Sequence, residues 1–298
     1  MAPNVVLVTG VADRIAGRLA AELAADESIE RVIGVDPNPP ATGLPERVEL
    51  VAADPRGPLV TRVLRSAGVD TVVHAAPLTG PGQVVGTMRL LAGCQRAGGV
   101  RKLVVRSTAE VYGASATSPA VFTEQDVPDG VRRDALEVES HVRGFARRHP
   151  EATVTTVRLA ELLGSGADSP LARYLALPVV PTALGFDARV QVLHPGDAVA
   201  VLRRAVTHDL PGVYNAGGDG VLLLSQAIRR AGRVQLPMPR AAVPAAARLA
   251  RAELSPDLAR LLNYGRVLDT TRLKTAFGYA PRWSTTAAFD DYVHGQRR

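Results

Sequence analysis

Polar and reactive residues recur at the ends of short apolar runs in this chain. Thr9-Gly10 closes Val5-Val6-Leu7-Val8, and Asp36 closes Arg31-Val32-Ile33-Gly34-Val35. Asp54, His74-Ala75-Ala76 and Ser107-Thr108 close three more, and Arg158 lies near the end of another. After Gly10 the pattern turns helical at once, with Ile15, Leu19 and Leu23 recurring four apart. A buried strand, a tight turn and a helix in that order point backbone N–H groups and the positive end of a helix dipole at one place, which suits a phosphate. Asp36 stands about twenty residues after Ala16, the spacing at which an acidic residue meets an adenosine ribose. As a ligand it favours a ribose without a 2′-phosphate; its other reading is a turn residue before Pro37. Asp54 reads as an adenine-side contact or a loop cap, and His74 as a residue of the same edge or a hydrogen-bonded structural histidine.

These residues need a scaffold that brings strand ends together. Strand patterns at 5–8, 31–35, 47–52, 70–74, 102–106 and 153–159 alternate with helical patterns from residue 15 and at 59–67, 84–96 and 132–148. Strands separated by helices of that length predict βαβ units, hence an α/β fold: a Rossmann-type, doubly wound parallel sheet with ligands beyond the carboxyl ends of its strands. The second half is less regular. A loop-rich insertion with one short helix is expected at 164–185, and short strands at 190–193 and 212–215 around a helix at 197–206. Further helices are expected at 223–231, 240–251, 255–262, 271–277 and 285–294. This divides the chain into a dinucleotide-binding domain, 1–163 plus 190–216, and a small C-terminal domain, 164–189 plus 217–298.

Composition narrows the function classes. The 298 residues are 46% hydrophobic, yet no apolar run reaches the roughly 20 residues of a membrane span. No signal peptide is expected from the first residues, which lack a basic segment followed by an apolar one, and one cysteine, Cys94, rules out an internal disulfide and suits a reducing cytoplasm. Cys94 sits in an Ala/Leu helical pattern and reads as packing. The net charge of +6 is scattered over arginines along the chain, without long runs or interleaved aromatics, so nucleic-acid and membrane binding are not expected. Sequence spacing shows no metal-ligand pattern among His, Cys, Asp and Glu.

Several short motifs occur in a telling order: VTGVADRIAG at 8–17, Asp36, Ala53-Asp54, VVHAA at 72–76, STAEVYG at 107–113, RLAELLG at 158–164, VQVLHPGDAV at 190–199, VYNAGG at 213–218 and LDTTRLKTAFGYAP at 268–281. Together they resemble the NAD-dependent epimerase/dehydratase family, the extended short-chain dehydrogenase/reductases that include UDP-glucose 4-epimerase, and within it an actinobacterial branch. The resemblance implies NAD as cofactor, a nucleotide sugar bound by the small domain, and a homodimer formed through the helices at 84–96 and 132–148. It assigns cofactor contacts to Thr9, Gly10, Asp13, Arg14, Ile15, Asp36, Asp54, His74, Ala75, Ala76 and Ser107. It assigns substrate contacts to Arg158, Glu161 and Arg189, and catalytic positions to Thr108, Glu110 and Tyr112. His194 and Asp197 match a structural strand-to-helix join.

The chain departs from that family in three places. The pattern TG-x-x-G-x-x-G keeps Gly10 but has Asp13 and Ala16 for the later glycines. A carboxylate about 4 Å from a phosphate is repelled by about 4 kcal/mol at an effective dielectric of 20. Alternatively Asp13 turns away to cap the helix, with Arg14 as a compensating charge. The family's Tyr-x-x-x-Lys pair is absent: its positions fall near Val131 and Ala135, and the only lysines are Lys102 and Lys274. The asparagine of R-x-x-N is Glu161. The departures leave three readings open: an NAD-dependent epimerase/dehydratase-like protein with altered catalytic residues, a pseudoenzyme that binds a dinucleotide or metabolite, or serves as a protein-interaction module, without chemistry, and a structural partner protein that binds no nucleotide.

Overall fold

A computed structural model describes residues 3–40, 43–55, 57–78, 82–130, 132–252 and 254–296. The first elements are β1 (Val5–Thr9), α1 (Arg14–Ala24), β2 (Arg31–Asp36), β3 (Val48–Ala52), α2 (Pro58–Ser66), β4 (Thr71–His74), α3 (Gln83–Ala97) and β5 (Lys102–Thr108). A 3-10 turn at Ala109–Tyr112 leads on to α4 (Arg133–Arg148), β6 (Thr153–Leu159), β7 (Glu161–Leu162), α5 (Pro170–Leu175) and β8 (Val179–Ala183). There follow β9 (Arg189–Val190), β10 (Val192–Leu193), α6 (Pro195–Thr207), β11 (Gly212–Ala216), β12 (Leu222–Leu223), α7 (Leu224–Arg230) and β13 (Val234–Met238). The last are α8 (Val243–Leu249), α9 (Pro256–Tyr264), α10 (Thr271–Thr275) and α11 (Thr285–Gly295).

The chain forms two compact units. The first comprises residues 1–108, 133–158 and 199–214. Its seven-stranded sheet runs β3-β2-β1-β4-β5-β6-β11, the order of a doubly wound nucleotide-binding fold whose direction of winding reverses between β1 and β4. The registered pairs β1–β2, β1–β4, β2–β3 and β4–β5 are all parallel. Parallel strands covered on both faces read as continuous apolar runs, and β1 is buried at every position. Helix α1 presses Ile15, Leu19 and Leu23 inward, as their spacing predicts. Burial of each such side chain is worth about 1.5–3 kcal/mol. Cys94 on α3 is buried and its thiol is pushed up to about 12 by that burial, as a packing residue should be.

The second unit comprises residues 109–132, 159–198 and 215–298. Its core gathers Leu163, Tyr174, Val180, Ile228, Leu261 and Phe289 around three two-stranded sheets, β7–β10, β9–β12 and β8–β13. The parallel pair β8–β13 replaces the loop expected near 180 and the irregular stretch before 240. Pro181 and Pro237 hid these strands, since proline is tolerated only where a ladder hydrogen bond is not needed, as in a two-stranded sheet. The helix expected at 240–251 shortens to a 3-10 turn, Arg240–Ala242, and α8. Asp197 and His194 hold the β10–α6 join as read. Asp197 accepts from Tyr279 Oη, Arg282 N and Trp283 N, and His194 stacks on Trp283 at 4.3 Å. Among the described residues no helix is long and apolar enough to cross a membrane.

Candidate functional site

The first unit carries a groove where β1, β2 and β4 end. It has a volume of about 200 Å³ and is lined by Gly10, Asp13, Asp36, Asp54, His74 and Ala76, with Pro37, Pro55, Pro77, Gln83 and Gly86 around them. Gly10 makes the turn possible. Its φ is +79°, and a Cβ there would lie 2.5 Å from Ala76 Cα. The backbone just beyond the end of β4 therefore passes directly against the turn. A second close approach is at Gly17, where a Cβ would meet Val11 O at 2.7 Å. Gly17, one position past Ala16, keeps helix and turn together; the sequence reading passed over it.

Asp36 ends β2 with its carboxylate accepting Ala12 N at 3.1 Å and Asn38 N at 2.9 Å. Each carboxylate oxygen keeps lone-pair capacity for a further donor. His74 bridges two hydroxyls, Thr9 Oγ1 to Nδ1 and Thr87 Oγ1 to Nε2, each at 2.9 Å. The β1–β4 register sets Thr9 beside it. Burial pushes the imidazole down to about 4. His74 is thus a neutral, hydrogen-bonded strut at the groove wall.

Asp13 caps α1. Its Oδ1 accepts Ile15 N at 2.9 Å and Ala16 N at 3.2 Å. The charge that meets it is Arg106, whose Nη1 lies 2.5 Å from Oδ1 and 3.2 Å from Ala75 O. The sequence reading offered Arg14 for that compensating role; Arg14 opens α1 and is exposed. The signal for Arg106 was a charged residue inside the apolar run of β5. The groove thus fits the nucleoside end of a dinucleotide at Gly10, Asp36 and Asp54. Its diphosphate end does not fit as the side chains stand, because Asp13 occupies the first-turn amides of α1.

Two residues expected at ligands turn inward. Ser107 Oγ donates to Glu139 Oε1 at 2.6 Å, and Arg158 clamps the same carboxylate through Nε at 3.0 Å and Nη2 at 2.6 Å. Both Glu139 and Arg158 are buried. An isolated buried charge is too costly to keep, so the expected substrate arginine and this glutamate neutralise each other within the unit. Val131, one of the two positions aligned with the lost pair, lies outside the described residues; Ala135 is fully buried on α4.

In the second unit Tyr112 is buried, stacks on Phe122 at 4.9 Å and donates to Asn215 Oδ1 at 2.7 Å. Its hydroxyl is engaged in structure, against the catalytic expectation. Arg189 on β9 is exposed, and Thr108, the last residue of β5 and so part of the first unit, is half-buried. Glu110 and Glu161 join Asp257 in a cluster whose ligand atoms lie within 4.8 Å of one another. Sequence spacing showed no such cluster, because the fold assembles it from distant positions. Two guanidinium groups answer it. Arg266 holds both oxygens of Asp257 at 2.9 Å and Glu161 at 3.2 Å, and Arg132 Nε lies 3.0 Å from Glu110 Oε2. Burial, then the neighbouring Asp257 and Glu161, push Glu110 up to about 7; burial likewise raises Glu161. Glu161, expected to meet substrate, is anchored by Arg266.

Comparison with known proteins agrees with this architecture. The model of the NAD dependent epimerase/dehydratase family matches residues 6–217. An uncharacterized protein of Mycobacterium tuberculosis is 45% identical over 99% of this chain and 84% of its own length. MoeE5 in complex with UDP-glucose and NAD has the same fold, with a TM-score of 0.75 at 22% identity over 99% of each chain. So has UDP-glucose 4-epimerase of Thermotoga maritima with UDP-glucose, with a TM-score of 0.76 at 18% identity over 98% of each chain. TunA, an NAD dependent NDP-hexosamine 5,6-dehydratase, gives 0.74 at 23% identity over 99% of this chain and 98% of its own. A seven-stranded sheet in doubly wound order, a glycine turn against the segment that follows β4 and a family match across most of the length lead to one conclusion: the chain belongs to the NAD-dependent epimerase/dehydratase family.

Proposed function

We propose that the protein binds an NAD-type dinucleotide and a nucleotide sugar or related metabolite without the family's tyrosine–lysine proton relay. The observation that carries this is where its two lysines go. Lys102 is buried at the start of β5, its Nζ donating to Val206 O at 2.9 Å and His208 O at 3.2 Å and lying 2.9 Å from Asp209. Lys274 Nζ donates to Asp219 at 2.5 Å. A tyrosine with an ordinary pKa near 10 needs an adjacent cation to act as a base at neutral pH, and each lysine is engaged elsewhere.

The binding half of the reading rests on the groove. Gly10 lets a ligand approach the turn, Asp36 offers its carboxylate to ribose hydroxyls and Asp54 stands on the adenine side. A carboxylate at Asp36 favours NAD over a 2′-phosphorylated dinucleotide. NAD, when bound, supplies a hydride acceptor. Thr108 remains the residue to share a substrate hydroxyl, and the exposed Arg189 an anion contact. One arrangement favours a second reading, slow dehydratase-type proton transfer: Glu110 lies with Glu161 and Asp257, 3.0 Å from Arg132, and burial together with those carboxylates pushes it up to about 7, where it both holds and releases a proton near neutrality. The test is proton NMR of the protein with NAD and a panel of UDP- and dTDP-sugars. The expected result is saturation transfer to a sugar nucleotide with no new anomeric or deoxy-sugar signal; accumulation of an epimer or a 4-keto sugar would overturn the first reading.

We also propose a homodimer in a reducing cytoplasm. The support is an apolar surface on α2 and α3, where Val85 and Met88 stay 49% and 46% exposed beside Leu59. Sedimentation should give a dimer that Met88→Asp dissociates; a wild-type monomer would contradict it.

A further inference from the structure

The groove of the first unit carries an anion of its own. One oxygen of Asp13 accepts two first-turn amides of α1 and one guanidinium N–H of Arg106. Helix N-terminal amides and arginine forks are the groups that recognise phosphates. Arg106 is also tied to Ala75 O, next to Ala76, which packs on Gly10. Its side chain is only 13% exposed, so it is fixed at the groove rather than loose on the surface. Asp13 is 25% exposed and has extended backbone dihedrals. Its side chain therefore reaches water on one side while its carboxylate holds the amides and Arg106.

We propose that Asp13 is a built-in substitute for a phosphate: a diphosphate enters only by displacing its carboxylate from α1 and from Arg106, and Arg106 then becomes a diphosphate-binding side chain. This rests on the reading of the groove as a dinucleotide site. It makes the site discriminate by the anionic part of its ligand. Adenosine places no demand on the α1 amides and binds without the exchange. NAD and ADP-ribose must first break the contacts of Asp13, and the displaced carboxylate then stands near a like charge.

The informative variant is Asp13→Asn, because asparagine caps a helix as well as aspartate does and removes only the charge. Wild type, D13N and D13N/R106Q are each titrated calorimetrically, as the full chain, with adenosine and with NAD. Adenosine should bind all three within about twofold, which also reports an intact groove. NAD should bind D13N about tenfold or more tighter than wild type, and R106Q should return most of that gain. Equal NAD affinity in wild type and D13N would overturn the exchange, as would a gain that R106Q leaves untouched. Failure of both ligands at millimolar concentration, in wild type and D13N alike, would instead refute the dinucleotide reading and this inference with it.

Discussion

The groove of the first unit and the charged cluster of the second solve one problem in opposite ways. Each gives partners to titratable groups that are wholly or partly withdrawn from water. In the groove the groups are answered by near neighbours: Asp13 by the amides that follow it, Asp36 by Ala12 and Asn38, and His74 by hydroxyls on the adjoining strand and helix. In the cluster, three carboxylates and two guanidinium groups converge from positions 110, 132, 161, 257 and 266. With every group ionised, three negative charges face two positive ones, so the cluster is one proton short of balance. The groove is built from strand ends and the turns that follow them, whereas the cluster ties separated segments of the second unit together.

The two regions should therefore respond differently to damage and to pH. The largest effect is expected for Arg266→Met, which leaves Asp257 buried without its clamp. Breaking a buried pair on one side costs about 3–5 kcal/mol. Trp283, the only tryptophan, lies in the second unit and reports its urea unfolding by fluorescence. A loss below about 1 kcal/mol would mean that water reaches the cluster freely.

The pH responses come next. Glu110 is raised from 4.5 to about 7. The folded second unit therefore holds a proton that the unfolded chain releases, and its stability should fall as pH rises between those values. The full effect is on the order of 3 kcal/mol. Glu110→Gln should flatten the slope of tryptophan-detected stability across that window; an unchanged slope would remove Glu110 from the account. His74 has the opposite sign. It is lowered from 6.5 to about 4, so the unfolded chain binds the extra proton, and the first unit should lose stability as pH falls through that range. Hydrogen exchange of the β1 and β4 amides measures this. The smallest effect is expected for Tyr112→Phe, which removes the donor to Asn215 and should cost about 1 kcal/mol while leaving ligand binding unchanged. A loss of binding larger than the loss of stability would return Tyr112 to the site.

This contrast also explains what the sequence made legible. The alternation of apolar runs and helices, the Gly10 turn, and Asp36 at its strand end are local patterns, and the sheet order and groove follow them. The capping role of Asp13 was one of two readings its position allowed, and the hydrogen bonds to Ile15 and Ala16 select it. Arg106 was visible only as a charge within a strand, because its partner lies across the sheet. The inward turn of Ser107 and Arg158 depends on Glu139, which sits on the inner face of α4 among Ala135, Val138 and Val142. The meeting of Glu110, Glu161 and Asp257 had no local signal, since spatial neighbours 51 to 147 residues apart leave no period to read. The strands β8 and β13 were hidden by their prolines.

The central claim is that the groove still binds an NAD-type dinucleotide although the proton relay is gone. The most direct test is calorimetric titration of the nucleotide-stripped protein with NAD and NADH. The account expects saturable, one-to-one binding with a dissociation constant of about 10 µM to 1 mM, a free energy of about −7 to −4 kcal/mol. An absence of binding heat and of thermal stabilisation at several millimolar of either form would contradict it.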